Sequence, residues 1–155
     1  MINPDLVIRP FAAADQAAAR RLILAGLGEH FGTIDESLNP DLTDIAATYL
    51  APGHPFVVAC RAGELVGTGA LRLVGAQTGE LVRISVSPRH RRQGIAQAVV
   101  AHLMAYARQR GLARLLVETN HDWVAAINLY RRFGFTEYER DAISVYMRLD
   151  LAGRQ

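Results

Sequence analysis

The sequence predicts an α/β fold, with helices on both faces of a central mixed sheet. Three observations predict it. Between residues 55 and 87, three short apolar runs are separated only by turn signals, the pattern of an antiparallel meander. A long amphipathic helix then links the third run to a further apolar run, which makes a parallel strand–helix–strand unit. Another helix and two closing strands complete the order β-α-α-β-β-β-α-β-α-β-β. The 155 residues contain no repeat, low-complexity tract or linker, so a single domain over residues 1–155 is expected.

Each element has its own signal. Leu6 to Pro10 reads as a first strand that a proline stops. Asp15 can cap an alanine-rich helix to about Gly26, with Ala18, Leu22 and Ala25 on one face. Asp41 or Thr43 starts a short helix through Leu50, and Pro52-Gly53 ends it. The meander strands are Pro55 to Cys60, Glu64 to Val74 and Glu80 to Ser87, with turns at Ala62-Gly63 and Gly75 to Gly79. In the third, Leu81, Arg83 and Ser85 alternate with Val82, Ile84 and Val86. The long helix runs from about Gln93 to Arg110, with Ile95, Val99, Leu103 and Tyr106 as its stripe, and Gly111 ends it. Leu115 to Glu118 is a strand, Asp122 to Phe133 a helix that Gly134 breaks, and Phe135 to Glu139 and Ser144 to Leu149 are the last strands.

Composition narrows the chemistry. All 17 basic residues are arginine, so lysine Schiff bases, a pyridoxal-phosphate lysine and a Walker A loop are excluded. The single cysteine, Cys60, excludes an intramolecular disulfide and reads as a small strand residue. The histidines at 30, 54, 90, 102 and 121 have no metal-ligand spacing, so no metal is expected; His30 and His121 could face a substrate, though surface histidine is the plainer reading. Neither a signal peptide nor a membrane-length apolar run is legible, and a soluble, cytoplasmic protein with no membrane partner is expected. Charge is uneven: residues 1–78 carry 5 arginines and 8 acids, residues 79–155 carry 12 and 7. Residues 22–60 hold Glu29, Asp35, Glu36, Asp41 and Asp44 and no arginine. One half is suited to an anion and the other to a cation.

The most informative segment is Val86-Ser87-Pro88-Arg89-His90-Arg91-Arg92-Gln93-Gly94-Ile95-Ala96. A strand ends, a basic loop turns and a helix starts at a glycine. The unpaired amides and positive dipole end of such a helix suit a diphosphate. Gly94 and Ala96 lack bulk, so a ligand can approach the backbone. The competing readings are a basic helix cap or a nucleic-acid patch on Arg89, Arg91 and Arg92. The low net charge of +2 and the want of a recognised nucleic-acid module put the second well behind, and no nucleic-acid partner is expected. No G-x-G-x-x-G follows the strand, which speaks against a dinucleotide fingerprint.

Arg91-x-x-Gly94-x-Ala96 after an alternating strand resembles the acetyl-CoA signature of the GNAT superfamily of acyl-CoA-dependent N-acyltransferases. Ala126-Ile127-Asn128-Leu129-Tyr130, followed by Gly134-Phe135, is similar to that superfamily's second motif. The element order is similar over nearly the whole chain. The resemblance implies a GNAT fold, acetyl-CoA as cofactor and donor, a small-molecule primary amine as acceptor, and direct attack in a ternary complex. It implies that Ile84 and Val86 hold the pantetheine arm, Val86 through its backbone. The amides of Arg91, Arg92, Gln93, Gly94, Ile95 and Ala96 would hold the diphosphate. Tyr130 would protonate the departing thiolate, and Glu80, six residues before Val86, would be the general base. Many members have asparagine where this chain has Trp123, a variation found in one branch of the family. A homodimer is common among members, but no segment here reads as its interface.

Other readings of these residues stay open. Tyr130 could simply pack its ring in the core, Glu80 could be a turn glutamate at a strand entrance, and Glu118 is a rival base. Water could also serve as the base. The acidic segment suggests a cationic acceptor: a polyamine, an aminoglycoside, an amino-acid derivative or a protein N-terminus. A protein N-acetyltransferase and a non-catalytic acyl-CoA-sensing module are the alternatives.

Overall fold

A computed structural model of the chain describes residues 5–31 and 39–151. One 7-stranded sheet organises it, in the order β1-β2-β3-β4-β5-β7-β6. The strands are β1 (Leu6–Pro10), β2 (Phe56–Arg61), β3 (Glu64–Leu73), β4 (Thr78–Val86), β5 (Arg114–Asn120), β6 (Thr136–Arg140) and β7 (Ser144–Asp150). β1 to β4 pair antiparallel, β4 and β5 pair parallel, and β5, β7 and β6 pair antiparallel. The helices are α1 (Gln16–Phe31), α2 (Ile95–Gln109) and α3 (Val124–Arg132). α2 and α3 bury Val99, Leu103, Ile127 and Tyr130 with Leu71, Leu81 and Leu115 on one face. α1 buries Ala19, Ile23 and Leu24 on the other, with Phe56, Val58 and Ala70. The mixed sheet with helices on both faces is as the sequence predicts.

Three local expectations are corrected. The buried face of α1 is Ala19, Ile23 and Leu24; Ala18 and Leu22 are half-buried and Ala25 is exposed. Alanine and leucine on nearly every side of this helix leave its phase unspecified until packing chooses it. α1 also continues through Gly26 and Gly28, whose helix-breaking cost of about 1 kcal/mol each is small against burial of a helix face. The second predicted helix is not an α-helix. It is a 3₁₀ turn at Pro40–Leu42 and a single π turn at Ala46–Leu50, closed by Ala51 N–H to Ala46 O and His54 N–H to Tyr49 O. Gln16 fixes this segment to the start of α1. Its amide donates to the carbonyls of Leu42 and Thr43 and accepts from the Ile45 N–H.

α2 lies unusually close to the sheet at β3. A Cβ added to Gly69 would sit 2.4 Å from Val99 Cγ1, and one added to Gly67 would sit 2.9 Å from Ile95 Cγ2. These two glycines set the height of the N-terminal end of α2 above β3 and β4. Among the described residues, no helix is long and apolar enough to cross a membrane.

Gly69→Ala should therefore cost about 1–3 kcal/mol, as overpacked cores do. Gly75→Ala, where the nearest atom is 3.7 Å away, is the control. Thermal melting of the two variants checks it: equal melting temperatures would show that α2 can lift away freely.

Candidate functional site

The site begins where the sheet comes apart. β4 and β5 pair from Thr78↔Arg114 to Leu81↔Val117 and no further, although β4 continues to Val86 and β5 to Asn120. At the same point the β3–β4 register jumps: Thr68 faces Ser85, yet Ala70 faces Val82. Two residues, Arg83 and Ile84, therefore stand opposite Gly69 alone, which is a β-bulge. Arg83 takes φ +57°, a conformation that costs a non-glycine residue about 1–2 kcal/mol.

The bulge corrects the predicted alternation. Before it, Leu81 points to the α2 face and Val82 to the α1 face. After it, Ile84 and Val86 point to the α2 face, while Ser85 lies 4.0 Å from the Cβ position of Gly26 in α1. One inserted residue inverts the phase, because side chains alternate strictly along a strand.

Hydrogen bonds hold Arg83 in place. The Thr68 hydroxyl donates to its carbonyl at 2.8 Å. Its guanidinium grips Asp41 through Nε at 2.9 Å and Nη2 at 2.6 Å, and Nη2 also reaches Asn39 at 3.1 Å. The Tyr49 hydroxyl donates to the same Asp41 carboxylate at 2.7 Å. Burial works to raise the Asp41 carboxyl, but the Arg83 and Tyr49 hydrogen bonds outweigh it and hold the pKa below the usual range. Burial and that charged neighbour push the Tyr49 phenol up to about 12.

A groove of about 1040 Å³ opens on the far side of the bulge. Ile84 and Val86 form one wall, Arg91, Arg92, Gly94, Ile95 and Ala96 one end, and Trp123 and Tyr130 the α3 side. Arg92 at φ +61° and Gly94 at φ +80° both turn left-handed, so the loop curls into a backbone nest. Gly94 is the N-cap residue of α2, and the helix ladder begins with Ala98 N–H to Gly94 O. The first amides of α2 thus lack intrahelical partners. No atom lies within 4 Å of the Gly94 Cβ position. Loop, helix end and open space together fit a diphosphate.

The structure brings nearly all the sequence-predicted cofactor residues together in this groove. Gln93 is the exception: its side chain does not line the groove and accepts a hydrogen bond from Arg61 Nη1. Tyr130 is 5% exposed, and its ring meets Phe135 edge-on at 5.6 Å, so it is both a core residue and a groove residue. Burial pushes its phenol above the ordinary value. That direction keeps a proton on the oxygen and makes the proton harder to give away.

Glu80 lies elsewhere, in an adjoining cavity of about 560 Å³ on the near side of the bulge. The cavity ends at Arg83 and the groove begins at Ile84, so the two abut along β4. Asp41, Tyr49, His54, Arg72 and Glu118 line it beside Glu80. Burial raises the Glu80 carboxyl; Arg72, 3.5 Å away, pulls against that, and Glu118 adds to it. Glu118 accepts from the Ser144 hydroxyl at 2.8 Å.

Arg83, Tyr49 and Arg72 were not singled out from the sequence. An arginine inside an otherwise apolar strand is the one signal available, and alternation groups Arg83 with Leu81 and Ser85. Of the acidic segment, Asp41 is engaged by Arg83, and Asp44 accepts from the Ala47 N–H. Asp35 and Glu36 lie outside the described residues, as do the side chains of Glu29 and His30. His121 pairs with Asp122 at 3.0 Å and lines neither cavity.

Residues 18–135 match the family described as Acetyltransferase (GNAT) family. N-acetyltransferase family 8 member 2 of Rattus norvegicus is 35% identical over 121 residues, which are 75% of this chain and 54% of that protein. The chain spans about half the length of the curated relatives it matches. A Klebsiella pneumoniae protein whose proposed activity is acyl-CoA N-acyltransfer superposes with a TM-score of 0.74 at 31% identity, over 96% of this chain and 99% of that one. The PaiA N-acetyltransferase of Thermoplasma acidophilum, solved with coenzyme A, superposes with a TM-score of 0.82 at 14% identity, over 94% and 98% of the two chains.

Asp41→Asn should cost about 1–3 kcal/mol at pH 7, because it leaves a half-buried guanidinium without its charge partner. The depressed Asp41 pKa makes this stabilisation complete above the ordinary carboxylate range and lost as pH falls from there through the lowered Asp41 pKa. Urea unfolding at pH 7 and pH 3 checks it: the gap between native protein and variant should narrow at pH 3. A constant gap would mean that Asp41 acts by packing alone.

Proposed function

Since the chain belongs to the GNAT acetyltransferase family, we propose that it moves an acetyl group from acetyl-CoA to a small primary amine that arrives as an ammonium ion. The observation that carries this reading is the parting of β4 and β5 between a phosphate-shaped helix end and an acid-lined cavity. Acetyl-CoA supplies an activated thioester. The amides at the start of α2 and in the Arg91–Gly94 loop hold its diphosphate, and Arg91 and Arg92 add charge. Edge groups of β4 at Ile84 and Val86, freed from β5, hold the pantetheine arm.

The amine enters from the other cavity, so donor and acceptor meet at the bulge in a ternary complex. There the amine attacks the thioester directly. Glu80 takes the proton that an ammonium must lose before its nitrogen can attack. Its raised pKa makes it a stronger base than an ordinary carboxylate. Glu118, on the neighbouring strand, supports the same site. Tyr130 presents its phenol proton to the sulfur that leaves. An ordinary phenol near ~10 is matched well enough to a thiol near ~8.5; burial here makes that transfer less favourable until the negative thiolate develops beside it. The acceptor cation is drawn in by Glu80 and Glu118, which takes over the part that the sequence suggested for residues 22–60.

Tyr130→Phe should lower kcat by about 10- to 100-fold, with acetyl-CoA affinity by calorimetry within about twofold of native. Unchanged turnover would remove Tyr130 from the chemistry. In Glu80→Gln, kcat/KM should fall, and the acidic limb of its pH profile should vanish. In the native protein that limb should lie above the ordinary carboxylate range, the direction in which burial moves Glu80. An acidic limb retained in Glu80→Gln would transfer the base to Glu118 or water. Acetyl-CoA binding without turnover of any amine would favour a sensing module.

A further inference from the structure

We propose that the acceptor is an amino acid with a free carboxylate, and that Arg83 reads that carboxylate. This rests on the acyltransfer reading above and names its substrate class. The cavity on the near side of the bulge holds carboxylates and guanidiniums together. Glu80 and Glu118, on the neighbouring strands β4 and β5, both line it and suit an ammonium. Arg83 lies three residues further along β4, on the same face, where the cavity meets the groove.

The hydrogen-bond inventory of Arg83 points outward. Asp41 occupies Nε and one Nη2 proton, and Asn39 takes the other. Nη1 has no hydrogen-bond acceptor among the described residues, and it is not sealed from solvent. Its two protons therefore remain for a group in the cavity. A side chain only 19% exposed, with Nε and Nη2 already engaged, is pre-organised, so little entropy is lost when an anion accepts from Nη1. A carboxylate oxygen can accept a charge-assisted hydrogen bond from it.

The other described contacts agree. Tyr49 and Asn39 lock the Asp41–Arg83 pair, so Nη1 cannot swing away. A simple alkylamine or polyamine would meet this guanidinium as a like charge. A peptide N-terminus would offer only a neutral carbonyl there. The cavity, at about 560 Å³, is sized for a small molecule.

The test uses the full chain. Acetyl transfer is measured with the twenty standard L-amino acids, and with the carboxamide and decarboxylated amine of each. The same compounds are titrated by calorimetry onto protein saturated with CoA. At least one free acid should exceed its own amide in kcat/KM by about 10- to 100-fold, the span of one charge-assisted hydrogen bond. Arg83→Gln should bring that ratio close to one, chiefly through KM for the acid. Because Arg83 also pins the bulge, a melting curve accompanies the variant; if it does not fold, the native acid-to-amide ratio decides alone. Amides or amines used as well as the acids, or a ratio that Arg83→Gln leaves unmoved, would overturn the proposal and leave the acyltransferase reading standing. Acetyl-CoA binding with no turnover of any compound would overturn both.

Discussion

Arg83 holds a left-handed backbone conformation in the middle of a strand, and the Asp41 ion pair holds Arg83. Everything that makes the sheet into a site depends on that arrangement. The bulge tilts β4 out of hydrogen-bonding range of β5, so the second half of β4 keeps edge groups that a continuous sheet would have used. It also reverses which side chains face which layer. Ile84 and Val86 turn to the groove, while Arg83 turns to the opposite cavity. The strain of about 1–2 kcal/mol is local, and it is offset by a bidentate pair, the Thr68 and Tyr49 hydroxyls, and the packing on both sides.

The helix end that faces the groove is positioned by an absence of side chains. Gly67 and Gly69 leave no Cβ between β3 and α2, so α2 settles close against the sheet beside the bulge. Left-handed turns at Arg92 and Gly94 then aim the loop amides inward. Placing the same amides higher or at another angle would leave the helix dipole intact but out of reach of a ligand running along β4. Close packing and backbone polarity are thus one device here, built from small residues on one element and positive φ on another.

Electrostatics divide the two compartments. The groove end carries Arg91 and Arg92, while the smaller cavity mixes Glu80, Glu118 and Asp41 with Arg72 and Arg83. Burial raises both Glu80 and Tyr130, but to different effect. The first becomes a better base. The second becomes a more faithful holder of its proton, which suits a group that should release it only to a strong base formed beside it.

Periodicity and punctuation in the chain were enough to determine the mixed sheet, α2 and α3 and the glycines that end them, because these follow from local patterns of burial and backbone permissiveness. The cradle around Gly94 was legible for the same reason: loop, glycine and helix start are contiguous in sequence. Tyr130 and Glu80 were legible as candidates, the first through its motif, the second through its offset from Val86. The phase of α1 was not, since its apolar residues surround the helix and only the sheet chooses among them. The π turn at Ala46–Leu50 depends on Gln16, some thirty residues away. Arg83 was the largest omission. A bulge is a relation between strands, fixed by Gly69 across the ladder and by Asp41 from a distant turn. Sequence alternation assumes an unbroken strand, so it placed Arg83 with the wrong neighbours. The groove's residues could be listed from the chain, but only tertiary packing decided that the groove and the acid-lined cavity meet at one residue.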